Sequence, residues 1–258
     1  PACPEGHLSQ LGLGTERICE DLKQLFPKAR VARADRDEIK TREDLEALLT
    51  SVHNHEVDII VGTQMIAKGH DFPNLTLVGV VAADQGLHFP DFRSSERTFQ
   101  LLTQVAGRAG RHKKSGQVII QTYMPEHPAI KWATQQDFKN FALEELAERK
   151  DLFYPPFGKL AIVRIQGAKL DVVEQTSEDL AARIEKLKTL KDEYKNIEML
   201  GPCESALAKL RNKFRFHLLL KEKSLKSLNS FMQHLMSNTD WIPSTVKITF
   251  DVDPNHFL

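Results

Sequence analysis

The sequence is poor in cysteine, has few aromatics and carries no excess of either charge. Three cysteines in 258 residues, Cys3, Cys19 and Cys203, cannot build a disulfide framework and point to a reducing, cytoplasmic setting. No apolar run approaches the roughly 18 residues that a bilayer crossing demands. The first residues lack the basic start and apolar stretch of a secretory signal. The chain does not begin with Met, so a piece of a longer protein is expected. Lys plus Arg is 35 and Asp plus Glu is 35, a formal net charge of zero that excludes a uniformly basic nucleic-acid binder but leaves room for local basic patches. Thirteen Gly and twelve Pro are too few for a disordered or collagen-like chain.

What is present is ordinary globular material, 41% hydrophobic and 27% charged, of a length suited to one large or two modest domains. In the first half, helical spacing at Thr15 to Phe26, Thr41 to Val52 and Ser94 to Ala106 alternates with short apolar stretches. Those stretches, Arg30 to Ala34, Asp58 to Thr63, Leu75 to Ala83 and Gln117 to Tyr123, read as strands of a parallel sheet covered on both sides. Thr41 with Asp44 forms a potential cap pair. The stretch from Glu126 to Lys150 is helical and charged. Tyr154-Pro-Pro-Phe-Gly158 then breaks the pattern, and a domain boundary is expected there. The second half reads strand, helix, strand, strand, helix, strand, the split-βαβ order of ferredoxin-like domains. The fold expected is α/β: a parallel-sheet lobe, then a small α+β domain.

Two stretches carry chemistry. Gln104-Val-Ala-Gly-Arg-Ala-Gly-Arg111 ends an amphipathic helix with two arginines three residues apart. On one helical side, two guanidinium forks can clamp a polyphosphate, and the glycines allow close approach. Read blandly, it is a basic helix end facing the macrodipole. Ile59-Ile-Val-Gly-Thr-Gln-Met-Ile-Ala-Lys-Gly-His-Asp-Phe-Pro73 ends an apolar strand in a loop bearing Thr63, Lys68, Gly69 and Asp71. Such strand ends line the ligand crevice of α/β sheets. Thr63 can donate to a nucleic-acid phosphate, Lys68 can neutralise one, and Asp71 can accept a ribose hydroxyl or simply cap a helix.

Together these stretches resemble motifs V and VI of superfamily 2 helicases, in the order found in the second RecA-like lobe. Gly12-Leu-Gly-Thr-Glu-Arg17, Ala67-Lys-Gly-His-Asp-Phe-Pro73, Pro90-Asp-Phe-Arg-Ser-Ser-Glu-Arg97, Gln121-Thr-Tyr-Met-Pro-Glu-His-Pro128, Tyr154-Pro-Pro-Phe-Gly158 and Val252-Asp-Pro narrow this. Over nearly its whole length the chain resembles the PriA family of replication-restart helicases (primosomal protein N′). The resemblance implies a remnant of a zinc-binding insertion at residues 1–10, the second helicase lobe at 11–150 and a C-terminal α+β domain at 151–258. It implies ATP with Mg²⁺ shared with an upstream lobe. Arg108 and Arg111 would act as catalytic arginine fingers, and Gly69, Asp71 and Gln104 would be nucleotide contacts. Forked or single-stranded DNA, single-strand-binding protein and other primosome proteins are the implied partners.

The chain departs from the family pattern in two places. No G-x-x-x-x-G-K-[ST] occurs, so this chain alone is expected to be inactive as an ATPase. Asp37-Glu38 mimics an acidic box, but the strand before it is interrupted by Arg33. Cys3-Pro4-Glu5 lacks the second cysteine of a C-P-x-C pair, and Cys3 alone cannot close a four-ligand zinc site; zinc is expected only in a full-length protein.

Some features have bland readings. Cys19 sits on the apolar face of a helix and is expected to be a buried thiol, while Cys203 lies in a Gly-Pro turn with no partner identifiable. Phe89 and Phe92 offer either a stacking surface for single strands or loop packing. Residues 207–223 hold Lys209, Arg211, Lys213, Arg215, Lys221 and Lys223 against the lone carboxylate of Glu222. Arg211, Lys213 and Arg215 alternate with Asn212, Phe214 and Phe216, so one strand face is expected to present all three to DNA. The rival readings are a non-catalytic DNA- or protein-docking module and a RecG-like branch-migrating translocase. The translocase should lack the Tyr154-Pro-Pro-Phe-Gly break and the split-βαβ tail.

Overall fold

The computed structural model describes residues 14–63, 72, 74–107 and 116–257. By its internal contacts the chain divides into two units, residues 1–83 with 99–125, and residues 84–98 with 126–258. No helix among the described residues is long and apolar enough to cross a membrane.

In the first unit, β1 (Val31–Ala34) pairs parallel with β2 (Ile59–Gly62), and β3 (Leu77–Val80) pairs parallel with β4 (Gln117–Ile120). The sequence predicts one sheet buried on both faces. Among the described residues the four strands instead form two separate pairs, and Leu77 and Ile119 are 53% and 54% exposed. Their burial alternates along β3 and β4, as it does in a strand covered on one side only.

Helix α1 (Thr15–Leu25) lies against β1 and β2 and buries Cys19, whose thiol burial pushes upward from its ordinary pKa. The Thr15 hydroxyl donates to Asp35, which also pairs with Arg33 at 2.9 Å. Helix α2 (Arg42–His53) starts with a full capping box. Thr41 Oγ1 accepts from the Asp44 amide at 3.1 Å, and the Asp44 carboxylate accepts from the Thr41 amide at 2.8 Å. The starts of β1 and β2 are tied by Arg30, whose Nε and Nη2 grip the Asp58 carboxylate at 2.9 and 2.8 Å. These bonds hold the Asp58 carboxyl far below the usual carboxylate range. Helix α3 (Ser94–Ala106) matches the helical spacing at both ends and buries Phe99 and Leu102.

The second unit begins its C-terminal run with α4 (Pro128–Thr134) and α5 (Phe138–Asp151). His127 caps α4: its Nδ1 accepts from the Ala129 amide at 3.2 Å, which requires that nitrogen to be unprotonated. The strands β5 (Lys159–Gly167), β6 (Glu198–Leu210), β7 (Lys213–Glu222) and β8 (Val246–Val252) form one antiparallel sheet in the order β6-β7-β5-β8. Helices α6 (Leu170–Lys188) and α7 (Leu225–Leu235) cover one face. Val163, Ile165, Leu218 and Leu220 of the sheet meet Leu180, Ile184, Leu228 and Phe231 of the helices, all fully buried. Tyr194 stands edge-on to Phe231 at 5.1 Å, and its hydroxyl bonds the Ser230 hydroxyl at 3.0 Å.

The opposite face has a smaller core of Leu160, Ile162, Leu219 and Phe257, with Phe92 and Tyr154 packed against it. Phe92 stacks on Tyr154 with centroids 5.2 Å apart and planes 5° from parallel. Of the two aromatics in that loop, Phe92 is therefore occupied by packing, while Phe89 stays 45% exposed. Arg149 lies over the Phe92 ring at 5.1 Å and bonds Glu96 and Glu145, each at 2.8 Å. Burial works against its charge, but the two carboxylates outweigh burial and hold its pKa above the ordinary value.

Candidate functional site

Two regions draw the sequence-predicted residues. In the first unit, β2 ends at Gly62 and delivers Thr63, exposed, at its carboxyl end. Helix α3 carries Gln104 on its exposed side, and the Gly107 amide prolongs the helix by donating to Thr103 O at 3.0 Å. Cys3, Lys68, Gly69, Asp71, Arg108 and Arg111 lie outside the described residues. Among the described residues, no group of three or more His, Cys, Asp or Glu could hold a metal ion.

In the second unit the basic stripe is rearranged. Arg211 and Asn212 have φ of 50° and 61°, so they form the two-residue turn of the β6–β7 hairpin. Left-handed values at both central positions are those of a type I′ turn. Arg211 is thus at the hairpin tip and not on the strand face with Lys213 and Arg215. The alternation was extended one residue pair too far, because Arg-Asn lacks the glycine that usually marks such a turn.

The strand face gains members from its neighbours. Cross-strand partners share a face. Gln166 of β5 stands opposite both Arg215 and Lys247, and Arg164 stands opposite His217 and Thr249. Lys213, Arg215, Lys247 and Arg164 therefore fall on the sheet face away from α6 and α7. Arg164 is engaged by Asp251 at 3.0 Å and by the His256 carbonyl at 2.9 Å, whereas Lys247 is exposed. Sequence reading missed Arg164 and Lys247. The clean alternation of β8 was visible, but its pairing with β5 was not.

Three lysines of the basic stretch are otherwise occupied, Lys223 by lying over the Phe153 ring at 5.1 Å. Lys221 is buried, bonds Glu198 at 2.9 Å and caps the Tyr154 ring at 4.9 Å. Lys209 sits over Phe214 at 4.8 Å. His217 lies between Cys203 Sγ, 3.7 Å from its Nε2, and Ser205 Oγ, 3.3 Å from its Nδ1. Cys203 thus has a histidine neighbour that sequence spacing could not reveal. Burial, and then Arg164 and Arg215, push the His217 pKa down, and burial pushes the Cys203 thiol up. Both shifts favour the neutral pair, so this is no activated thiolate.

The comparisons with known proteins divide the chain in two. Residues 13–113 match the helicase conserved C-terminal domain, and residues 150–255 match the primosomal protein N C-terminal domain. Replication restart protein PriA of Bacillus subtilis is 39% identical over 258 residues, which is 100% of this chain and 31% of that protein. PriA of a Synechocystis strain is 41% identical over 254 residues, covering 98% of this chain and 30% of that protein. PriA of Haemophilus influenzae is 37% identical over 252 residues, covering 98% and 34%. The chain thus spans about a third of the length of the relatives it matches. With both domain models matched in order and identity near two-fifths along the whole chain, it belongs to the PriA family, over that family's helicase C-terminal and PriA C-terminal domains.

Proposed function

We propose that this chain supplies the second RecA-like motor lobe, residues 11–150, and the C-terminal domain, residues 151–258, of an ATP-dependent 3′-to-5′ DNA helicase. That helicase would restart stalled replication forks in the cytoplasm by assembling a primosome. The observation that carries the reading is the sequence Gln104-Val-Ala-Gly-Arg-Ala-Gly-Arg111, whose first residues end α3 and which falls by sequence inside the helicase C-terminal match. Arg108 and Arg111 would offer guanidinium forks to the terminal phosphate of ATP bound on another lobe, where Mg²⁺ would neutralise the phosphate charge. Gln104, Gly69 and Asp71 would complete the nucleotide contacts, and Thr63 and Lys68 would hold the DNA strand. In the C-terminal domain, the order β6-β7-β5-β8 supports a split-βαβ, ferredoxin-like reading. Lys213, Arg215 and Lys247 on the sheet face away from α6 and α7, with Arg211 at the hairpin tip, suit a phosphate backbone. Zinc would belong to the longer protein, with Cys3 a remnant ligand, and single-strand-binding protein would be among its partners.

The test is ATP turnover by a longer protein that joins this chain to an upstream phosphate-loop lobe. Arg108→Ala is expected to lower DNA-stimulated turnover by about 10³–10⁵-fold while DNA affinity is retained. Unchanged turnover in that variant defeats the finger assignment and favours a non-catalytic docking module.

A further inference from the structure

Where β7 leaves its sheet for α7, the second unit holds a cavity of about 370 Å³, lined by Phe153, Asn196, Glu198, Lys221, Glu222 and Lys223. Ligand pockets run from about 300 to 1,000 Å³, so this one has room for a single small molecule. None of the six residues has a role in the function proposed above.

Glu222 is the unusual member. It is 6% exposed. Its Oε1 accepts from the Lys223 amide at 2.7 Å and from the Ser224 amide at 3.3 Å. Its Oε2 is buried and has no hydrogen-bond partner among the described residues. A carboxylate oxygen left this way costs free energy, which a donor arriving in the cavity would recover. The neighbouring buried cation is engaged elsewhere: Lys221 bonds Glu198 and lies over the Tyr154 ring.

The cavity also has a flat wall, the Phe153 ring. Phe153 has φ of 61°, a left-handed value that costs a bulky residue energy and that recurs at ligand sites. The missing Cβ of Gly158 makes room for it, because one there would stand 2.5 Å from the Phe153 carbonyl oxygen and 3.0 Å from the ring. The ring is covered by the ammonium of Lys223, an exposed residue. An exposed cation is held over a ring more weakly than a stacked base, so a base can take its place.

These groups set the chemistry of the ligand. Glu198 and Glu222 balance Lys221 and Lys223, which favours an uncharged molecule. One free oxygen calls for one N–H, whereas an alkylammonium would bring three donors and a full charge to it. The Phe153 ring calls for a flat partner. We propose that this cavity is a nucleobase pocket, in which Glu222 Oε2 accepts from the exocyclic amino group of the base while the base stacks on Phe153. In the helicase reading the base would be one unstacked from a single DNA strand. That consequence rests on the function proposed above, whereas the pocket does not.

The probes are 2′-deoxycytidine and 2′-deoxyuridine, which differ only at the N3–C4 edge: cytosine offers a 4-amino donor where uracil has an O4 acceptor. Neither carries a phosphate or needs ATP turnover, so failure of the motor reading leaves the result unaffected. Binding to the 258-residue chain is read by saturation-transfer NMR at millimolar nucleoside. Deoxycytidine is expected to bind about ten-fold more tightly. Equal affinities, a preference for deoxyuridine, or binding of neither overturns the proposal. In Glu222→Gln the amide oxygen keeps the Lys223 and Ser224 amides, so the NH2 stands where Oε2 stood and the preference should reverse toward deoxyuridine. A folded variant that still prefers deoxycytidine overturns the proposal as well. Phe153→Asn, which suits a left-handed φ and lacks the ring, should weaken deoxycytidine about ten-fold, with tryptophan fluorescence confirming that the unit is folded. Unchanged affinity there counts against the pocket, and this variant with the parent comparison decides the matter if Glu222→Gln does not fold. Short oligonucleotides of the two bases identify the source. The same preference in strands supports single-stranded DNA, and a preference confined to free nucleosides keeps the pocket and overturns the strand consequence.

Discussion

Replacing Gly158 with alanine adds a single carbon at the tightest point of the Tyr154-Pro-Pro-Phe-Gly158 turn. A Cβ there would stand 2.5 Å from the carbonyl oxygen of Phe153 and 3.0 Å from its ring. The obstacle is backbone, so no side-chain rotation relieves it. The turn cannot slide either. The Phe157 and Gly158 amides both donate to the Tyr154 carbonyl, at 2.9 and 3.3 Å, and the next residue, Lys159, is already in register with Glu222 of β7. Forcing atoms into a packed site costs about 1–3 kcal/mol. Alanine also restricts the unfolded chain, which returns about 0.4–1 kcal/mol. The expected net loss is about 1–2 kcal/mol. Both tryptophans, Trp132 and Trp241, lie in the second unit, so their fluorescence reports unfolding of the unit that holds the turn. With a urea slope of about 1–3 kcal/mol per molar, the midpoint should fall by roughly 0.5–1 M. Gly79→Ala is the control, because a Cβ there meets nothing within 4 Å, and it should leave this midpoint in place. A Gly158→Ala midpoint equal to or above the parent's would refute the steric account.

Tyr194→Phe keeps the ring against Phe231 and removes only the bond to Ser230, so it should cost about 1 kcal/mol by the same urea assay. A loss near the roughly 3–5 kcal/mol of an aromatic-to-alanine truncation would mean that the hydroxyl holds more than this one bond. Burial lowers the pKa of both His127 and His217, so the folded protein favours their neutral forms and the unfolded chain protonates at higher pH. The stability these two sites contribute is fully present above about pH 6.5 and is lost as pH falls below it toward the lowered folded values. Asp35, Asp44, Asp58 and Asp137, whose pKa values are lowered, act in a separate, more acidic window below about pH 4. His127→Asn keeps an N-cap acceptor and removes one of the two titrations, so it should lessen the loss of stability below about pH 6.5 and leave the share of His217. An undiminished slope in that variant assigns the pH dependence elsewhere.

Periodicity and chemistry sufficed for much of this protein. The limits of α3 and β8, the capping box at Thr41 and Asp44, the buried thiol of Cys19 and the break at Tyr154 to Gly158 all follow from near neighbours in the chain. The Gly-Arg pair at Arg108 and Arg111, repeated at three-residue spacing, is recognisable as a motif without any tertiary partner, and both arginines lie outside the described residues. What only the tertiary structure decided is which distant strands and loops face one another. Local alternation put Arg211 on a strand, while the turn geometry puts it at a hairpin tip. Register across β5, β7 and β8 brought Arg164 and Lys247 to the face of Lys213 and Arg215, and set Cys203 beside His217. Asp91 accepts from the amide of Phe257, 166 positions away in sequence, a partner that no local pattern points to. Helix and strand periods are short-range properties of the backbone, whereas facing partners are set by packing between segments whose separation in sequence carries no periodic signal.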